Sequence, residues 1–234
     1  MEIQASLEYN DNGCLLWAEN VPGAFSRGKT TEEAVRKLPL EVRHFLQWRD
    51  GNILLEQGIV RIVQRKESDL EICDADSDIL LESEQIPLTP TEYECFKSWV
   101  LRSAADFQTL YDAVSDPHFT DLPERKTFYG AVPRTAQEIY DHTNGVSNYY
   151  AGELGAEFEN LPDIRANRNL AFQKIESLPG FLENRVIEGS YGEFWNLRKV
   201  LRRFLWHDRI HARALWRMAR RTWQNIPDPF CFEE

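Results

Sequence analysis

The apolar positions change their rhythm partway along the chain. From Ile3 to Tyr9 and from Cys14 to Ala18 they form short strand-like runs. Between them lies Asn10-Asp11-Asn12-Gly13, a turn composition that closes hairpins. Val21-Pro22-Gly23 breaks that pattern. Thr30-Thr31-Glu32-Glu33 then places a hydroxyl three residues ahead of a carboxylate, which predicts a capped helix running to about Trp48. Two more strand-like runs follow, Ile59 to Arg65 and one near Ile79 to Leu81. Together these predict a small β-β-α-β unit.

Past the polar stretch Glu82 to Leu88 the spacing becomes helical. Thr89-Pro90-Thr91-Glu92 sets an N-cap hydroxyl, a proline at the first helical position and a glutamate reaching back to the cap. Phe96, Val100, Ser103, Phe107, Leu110 and Val114 recur at steps of four and three, so this helix should end near Asp116-Pro117. A second helix is predicted from after Pro133 to about Glu157. Its inward seam holds Thr135, Ile139, His142, Val146, Tyr149 and Glu153. A third should fall between Pro162 and Pro179-Gly180. Ser190-Tyr191-Gly192-Glu193 reads as another capping box, opening a helix to Trp223 with a seam of Val200, Phe204, His207, His211, Ala214 and Met218. Four such helices predict a bundle. The expected fold class is therefore α+β, with an α/β domain over residues 1–84 and a four-helix bundle over residues 85–234.

Composition narrows the function classes. Apolar residues make up 42% of the 234 positions and include seven Trp, enough to bury real cores. The net charge of -11 excludes nucleic acid or an anionic membrane as the main partner, since either needs a clustered positive field. Neither half is a basic module. The four cysteines, Cys14, Cys73, Cys95 and Cys231, have no short spacing, which fits neither a disulfide framework nor a zinc knuckle. No secretion signal is read at Met-Glu-Ile-Gln, and no run of eighteen apolar residues occurs. A reducing, cytoplasmic setting is the expectation.

The candidate chemistry lies on the seams. His207 and His211 are one helical turn apart, so their imidazoles project from one face and can share an ion. His142 falls on the seam of the second helix, and all three should point inward. Buried imidazoles need partners for their nitrogens, and a divalent metal would collect them. Zinc, nickel, cobalt and iron(II) all suit three neutral His nitrogens, zinc and nickel foremost, and three ligands leave a position open for water or substrate. The rival reading of a lone H-x-x-x-H is a pair of core or surface histidines. His44 and His118 read as ordinary packing or surface residues. Glu138, Asp141 and Asp208 sit beside the ligands and could take a ligand's second N–H, or could equally be solvated helix charges. Tyr149 and Glu153 continue the second helix's seam, which suggests a polar pocket with Glu153 as a proton-transfer group; a glutamate emerging at the bundle mouth is the rival. Arginines Arg198, Arg202, Arg209, Arg213, Arg217 and Arg220 stripe the last helix and read as a solvated face, or as a receiver for an anionic substrate.

Thr135-Ala136-Gln137-Glu138-Ile139-Tyr140-Asp141-His142, together with the stretch Leu197 to His211, resembles the ligand-bearing segments of the DinB/YfiT-like superfamily of four-helix metal proteins. The resemblance spans about Thr89 to Trp223. It implies an up-down-down-up helix order, metal ligation by His142, His207 and His211, and activities such as thiol-dependent S-transfer. After the last ligand the chain has Ala212-Arg213-Ala214, where many members carry a small residue and a Gln. Asn10 to Trp48 resembles the N-terminal domain of HicB-like antitoxins through Asp11-Asn12-Gly13, Val21-Pro22-Gly23, Gly28-Lys29-Thr30 and Glu33-Ala34.

The leading expectation is a metal-dependent enzyme that activates a thiol or water for S-transfer or hydrolysis of a small molecule, with a low-molecular-weight thiol as the family-implied substrate. The alternative is a non-enzymatic, metal-stabilised binding protein whose N-terminal domain docks a partner. A homodimer through the α/β domain is a third expectation.

Overall fold

The structure, a computed structural model, describes residues 1–51, 58–127 and 130–233. The chain divides into two compact units, Met1–Gln85 and Ile86–Glu234. The molecule is mixed α+β, with five α-helices and a small sheet among the described residues.

In the first unit β1 (Glu2–Asn10) turns at Asp11-Asn12 into antiparallel β2 (Gly13–Ala18), the hairpin its turn composition predicts. The Asn10 side chain accepts the Asn12 N–H and steadies the turn. A short third strand, β3 (Phe25–Gly28), pairs with β2, a strand the hydrophobic pattern does not announce. The helix α1 (Thr31–Asp50) starts where Thr30 accepts the Glu33 N–H, and β4 (Ile59–Glu67) returns parallel to β1. The sheet order is β3-β2-β1-β4, and α1 packs against it. Gly28 is needed at the β3–α1 corner, because a Cβ there would sit 2.7 Å from the Thr30 carbonyl oxygen.

The strand expected near Ile79 to Leu81 is corrected. Ile79 and Leu81 are buried, but their segment is no ladder strand. The Gln64 side chain intercepts its backbone, donating to the Leu80 carbonyl at 3.1 Å and accepting the Glu82 N–H at 3.0 Å.

The second unit holds α2 (Pro90–Asp112), the two-residue strands β5 (Lys126–Thr127) and β6 (Gly130–Ala131), α3 (Ala136–Gly152) and α4 (Ile164–Glu176). A small hairpin, β7 (Ile187–Glu188) and β8 (Phe194–Trp195), and α5 (Leu197–Thr222) follow. Capping boxes start α2 at Thr89 and α3 at Thr135, each reciprocated by a glutamate. The packing pairs are α2–α5, α5–α3, α3–α4 and α4–α2, a closed ring around one core. Its largest buried side chains include Phe107, Phe172 and Phe204.

Two boundaries differ from expectation. α3 ends at Gly152 rather than near Glu157: Gly155 takes φ +86° and the Ala156 N–H closes onto the Ala151 carbonyl, which stops the helix. α5 does not start at Ser190. The Ser190 N–H that a capping box would tie to Glu193 is taken by Glu153, and Glu193 turns instead to Lys199 and Arg203. Ser190–Gly192 is a single 3-10 turn, and Asn196 caps α5 by accepting the Lys199 N–H at 2.9 Å.

Candidate metal centre

Every residue of α5 from Leu197 to Arg209 is buried, because α2, α3, the hairpin and the C-terminal tail surround that stretch. His207 therefore cannot escape to solvent, and His211, one turn on, is part-buried. His142 approaches them from α3, and one ring nitrogen from each of the three lies within 4.8 Å of the others. His207 Nε2 and His142 Nε2 are 3.3 Å apart. Two nitrogens bound at about 2.1 Å to one tetrahedral ion would be about 3.4 Å apart, so this pair is already at a shared-ligand separation. Ring centroids of 4.4 to 5.0 Å complete the triangle. Among the described residues this is the group of His, Cys, Asp and Glu close enough to hold an ion.

The electrostatics favour unprotonated nitrogens with lone pairs free to bind an ion. Burial pushes His142 below its ordinary value. His207 is pushed well below, chiefly by burial, then by His211 and His142, with Arg168 and Arg203 adding repulsion. His211 is pushed down to about 3, by burial first and His142 second. All three are neutral near pH 7, the form that binds metal. The His207 Nδ1 is buried with no hydrogen-bond partner, which costs about 1–3 kcal/mol.

These shifts set a stability profile. As pH falls through about 6.5 the unfolded chain protonates its imidazoles while the folded site resists, so the unfolded state binds more protons and stability is lost with acidification. Metal-free protein is expected to lose up to about 1.4 kcal/mol per pH unit for each resisting imidazole between pH 6.5 and 5. Denaturant titrations in a chelator at pH 7.5, 6 and 5 measure this. A His207→Ala variant with an unchanged slope would show that the site does not resist protonation.

The carboxylates beside the ligands serve elsewhere. Asp208 is fully buried and forms a bidentate pair with Arg168 of α4 at 2.9 and 3.1 Å. Glu138 completes the α3 capping box, and Asp141 accepts from Gln137. Tyr149 is 38% exposed, its ring packed on Trp195. The seam residue at that level is Tyr150, whose buried ring meets His207 edge-on at 6.0 Å. The seam drifts because a four-three count slips against 3.6 residues per turn. Glu153 is buried, and its Oε2 accepts the Ser190 N–H at 2.8 Å, tying the end of α3 to the β7–β8 hairpin. His118 is exposed and His44 is buried in the first unit.

The arginine stripe is not the solvated face its charge suggests. Arg198, Arg202 and Arg209 are buried, while Arg217 and Arg220 are exposed. Arg198 donates to the Ile86 and Pro87 carbonyls, and Arg209 to the Phe230 carbonyl. Sequence reasoning misses Arg168, Lys199 and Arg203, all buried. For the last two a signal exists, since Lys199, Arg203, His207 and His211 recur every four residues on α5.

Comparison of the chain with protein-family models, curated proteins and solved structures finds no match. Fold and site define a two-unit α+β protein with a three-histidine cluster able to hold a metal ion. Among the described residues no helix is long and apolar enough to cross a membrane.

Proposed function

We propose that this chain is a metal-dependent enzyme that activates a small thiol or water for S-transfer or hydrolysis, with zinc or nickel on His142, His207 and His211. The observation that carries it is the convergence of three neutral imidazoles from two helices within 4.8 Å. A group of three nitrogen donors that, among the described residues, includes no carboxylate or thiolate suits a centre with a free coordination position. Bound there, a divalent cation would supply Lewis acidity that lowers the pKa of the thiol or water.

The chain's own residues prepare the site. Burial keeps the three imidazoles unprotonated, and the Tyr150 and Trp206 rings flank His207 and keep water from it. The Tyr149 hydroxyl, raised by burial and by Glu193 and Glu153, stays protonated and can donate a hydrogen bond at the exposed edge. We read Ile86–Glu234 as a DinB-like four-helix bundle, supported by the closed ring of helix pairs and by ligands on its second and fourth helices. We read Met1–Gln85 as HicB-like, supported by its hairpin, helix and parallel returning strand.

Burial of His207 beside an unsatisfied Nδ1 favours a second reading, in which the metal only stabilises the fold. Chelation separates the two. An enzymatic site should empty on chelation with the far-UV spectrum retained, and turnover in a thiol-by-electrophile and ester screen should return with metal. Unfolding on chelation, with no turnover by the metal-loaded chain, would leave the structural reading.

A further inference from the structure

The β7–β8 hairpin has two residues in each strand, yet its tip is pinned from below. Glu153 accepts the Ser190 N–H at 2.8 Å, the Gly189 N–H reaches the Glu193 carbonyl at 2.8 Å, and buried Lys199 anchors the Glu193 carboxylate at 2.8 Å. At that tip Tyr191 is 98% exposed, more than any other large apolar residue among those described. Its φ of +62° is a conformation that a tyrosine adopts only where its surroundings impose it. Val186, Ile187 and Phe194, on and beside the two strands, are also exposed, so the hairpin presents a fixed apolar knob to solvent. At its foot lies a cavity of about 150 Å³, between the ends of α3 and α4 and the start of α5. Leu154, Ile175, Leu178, Phe181, Ile187 and Leu197 form its apolar wall.

We propose that this chain pairs with a second copy of itself through the hairpin, Tyr191 of each copy entering the cavity of the other about a twofold axis. Knob and hole lie on one hairpin, so a single twofold satisfies both at once. A cavity of this size takes one aromatic ring. The charges are complementary too. Arg185 lines the cavity, and its pair with Glu183 is mostly in solvent, where such pairs exchange partners at little cost; Glu188, on the knob, is exposed and of opposite sign. A tyrosine buries about 150–250 Å² on insertion. Two insertions with their apolar rims would remove on the order of 1,000 Å² from solvent, the size of a weak, reversible interface. Pinning the tip in advance lowers the ordering cost of docking, which gives the buried Glu153, Lys199 and Glu193 contacts a use.

Sedimentation equilibrium of the full chain over about 1 to about 300 µM tests this. The mass is expected to rise from 27.4 kDa toward twice that value, with a dissociation constant on the order of 10–100 µM. Tyr191→Ser, which trims an exposed side chain, should weaken association at least about tenfold with the circular dichroism spectrum unchanged. Leu178→Trp, which fills the cavity from its half-buried wall, should do the same. Should that variant not fold, two exposed positions judge the contact instead: Arg185→Glu and Glu188→Arg should each weaken association, and the two together should restore it. A Tyr191→Ser chain or a folded Leu178→Trp chain that associates like the wild type overturns the proposal, as does a charge swap that restores nothing. A wild type that stays monomeric also overturns it. Flotation of that monomer with phosphatidylcholine vesicles, lost in Tyr191→Ser, would then assign the tip to a lipid surface.

Discussion

His207→Ala is expected to lower divalent-metal affinity by more than about 100-fold, since even residues that merely support a ligand are worth 10–100-fold. His207 is the most buried of the three and stands 3.3 Å from His142 through their Nε2 atoms. Its removal leaves His142 and His211 as a two-nitrogen site. His142→Ala should be as damaging, because it is the sole ligand from α3 and removes the cross-helix half of the centre. Neither change should unfold the metal-free protein, since truncating His207 also removes a buried nitrogen without a partner. Competition against a chromophoric chelator reads the affinity and circular dichroism reads the fold. Wild-type affinity in either variant would mean that the ion, if any, sits elsewhere.

Asp208→Ala is expected to cost about 3–5 kcal/mol, the penalty for stranding one partner of a buried ion pair. Asp208 and Arg168 are both wholly buried, and the Arg168 guanidinium also stacks 3.9 Å from the centre of the Phe204 ring. Losing the carboxylate leaves a cation in the core between α4 and α5 with no water to receive it. The melting temperature should fall by on the order of 10 °C. Replacing both partners, as Arg168→Met with Asp208→Leu, should recover most of that loss, because the desolvation cost disappears along with the attraction. A single variant as stable as the wild type would show the pair to be solvated in solution. As Asp208 adjoins His207, metal affinity measured on the same variants reports whether the α4–α5 pair also aims the imidazole.

The capped starts of α1 and α2 were legible because a hydroxyl and a carboxylate three residues apart act locally, whereas at α3 Thr135, expected on the inward seam, is the N-cap and Glu138 completes its box. The same motif at Ser190 failed because tertiary partners outcompeted it: Glu153 took the serine N–H, and Lys199 took the glutamate. The three-histidine convergence was legible from seam positions. Tyr149 was not, since one residue of drift along α3 exchanges it for Tyr150. Charge misleads most on α5. Lys199, Arg202, Arg203 and Arg209 look like solvent residues, yet the stretch Leu197–Arg209 is buried throughout, and partners distant in sequence, such as Asp208–Arg168 across α4 or the Phe230 carbonyl, help make the burial tolerable. Short strands such as β3 carry too few residues to set a period.

The most direct test of the central claim is X-ray absorption at the metal edge on purified full-length chain carrying the metal it retains. The account predicts one divalent ion per chain, with three imidazole nitrogens at about 2.0–2.1 Å and one further light-atom ligand not supplied by the protein. Sulfur in the first coordination shell from a cysteine, fewer than three imidazoles, or no stoichiometric metal at all would contradict it.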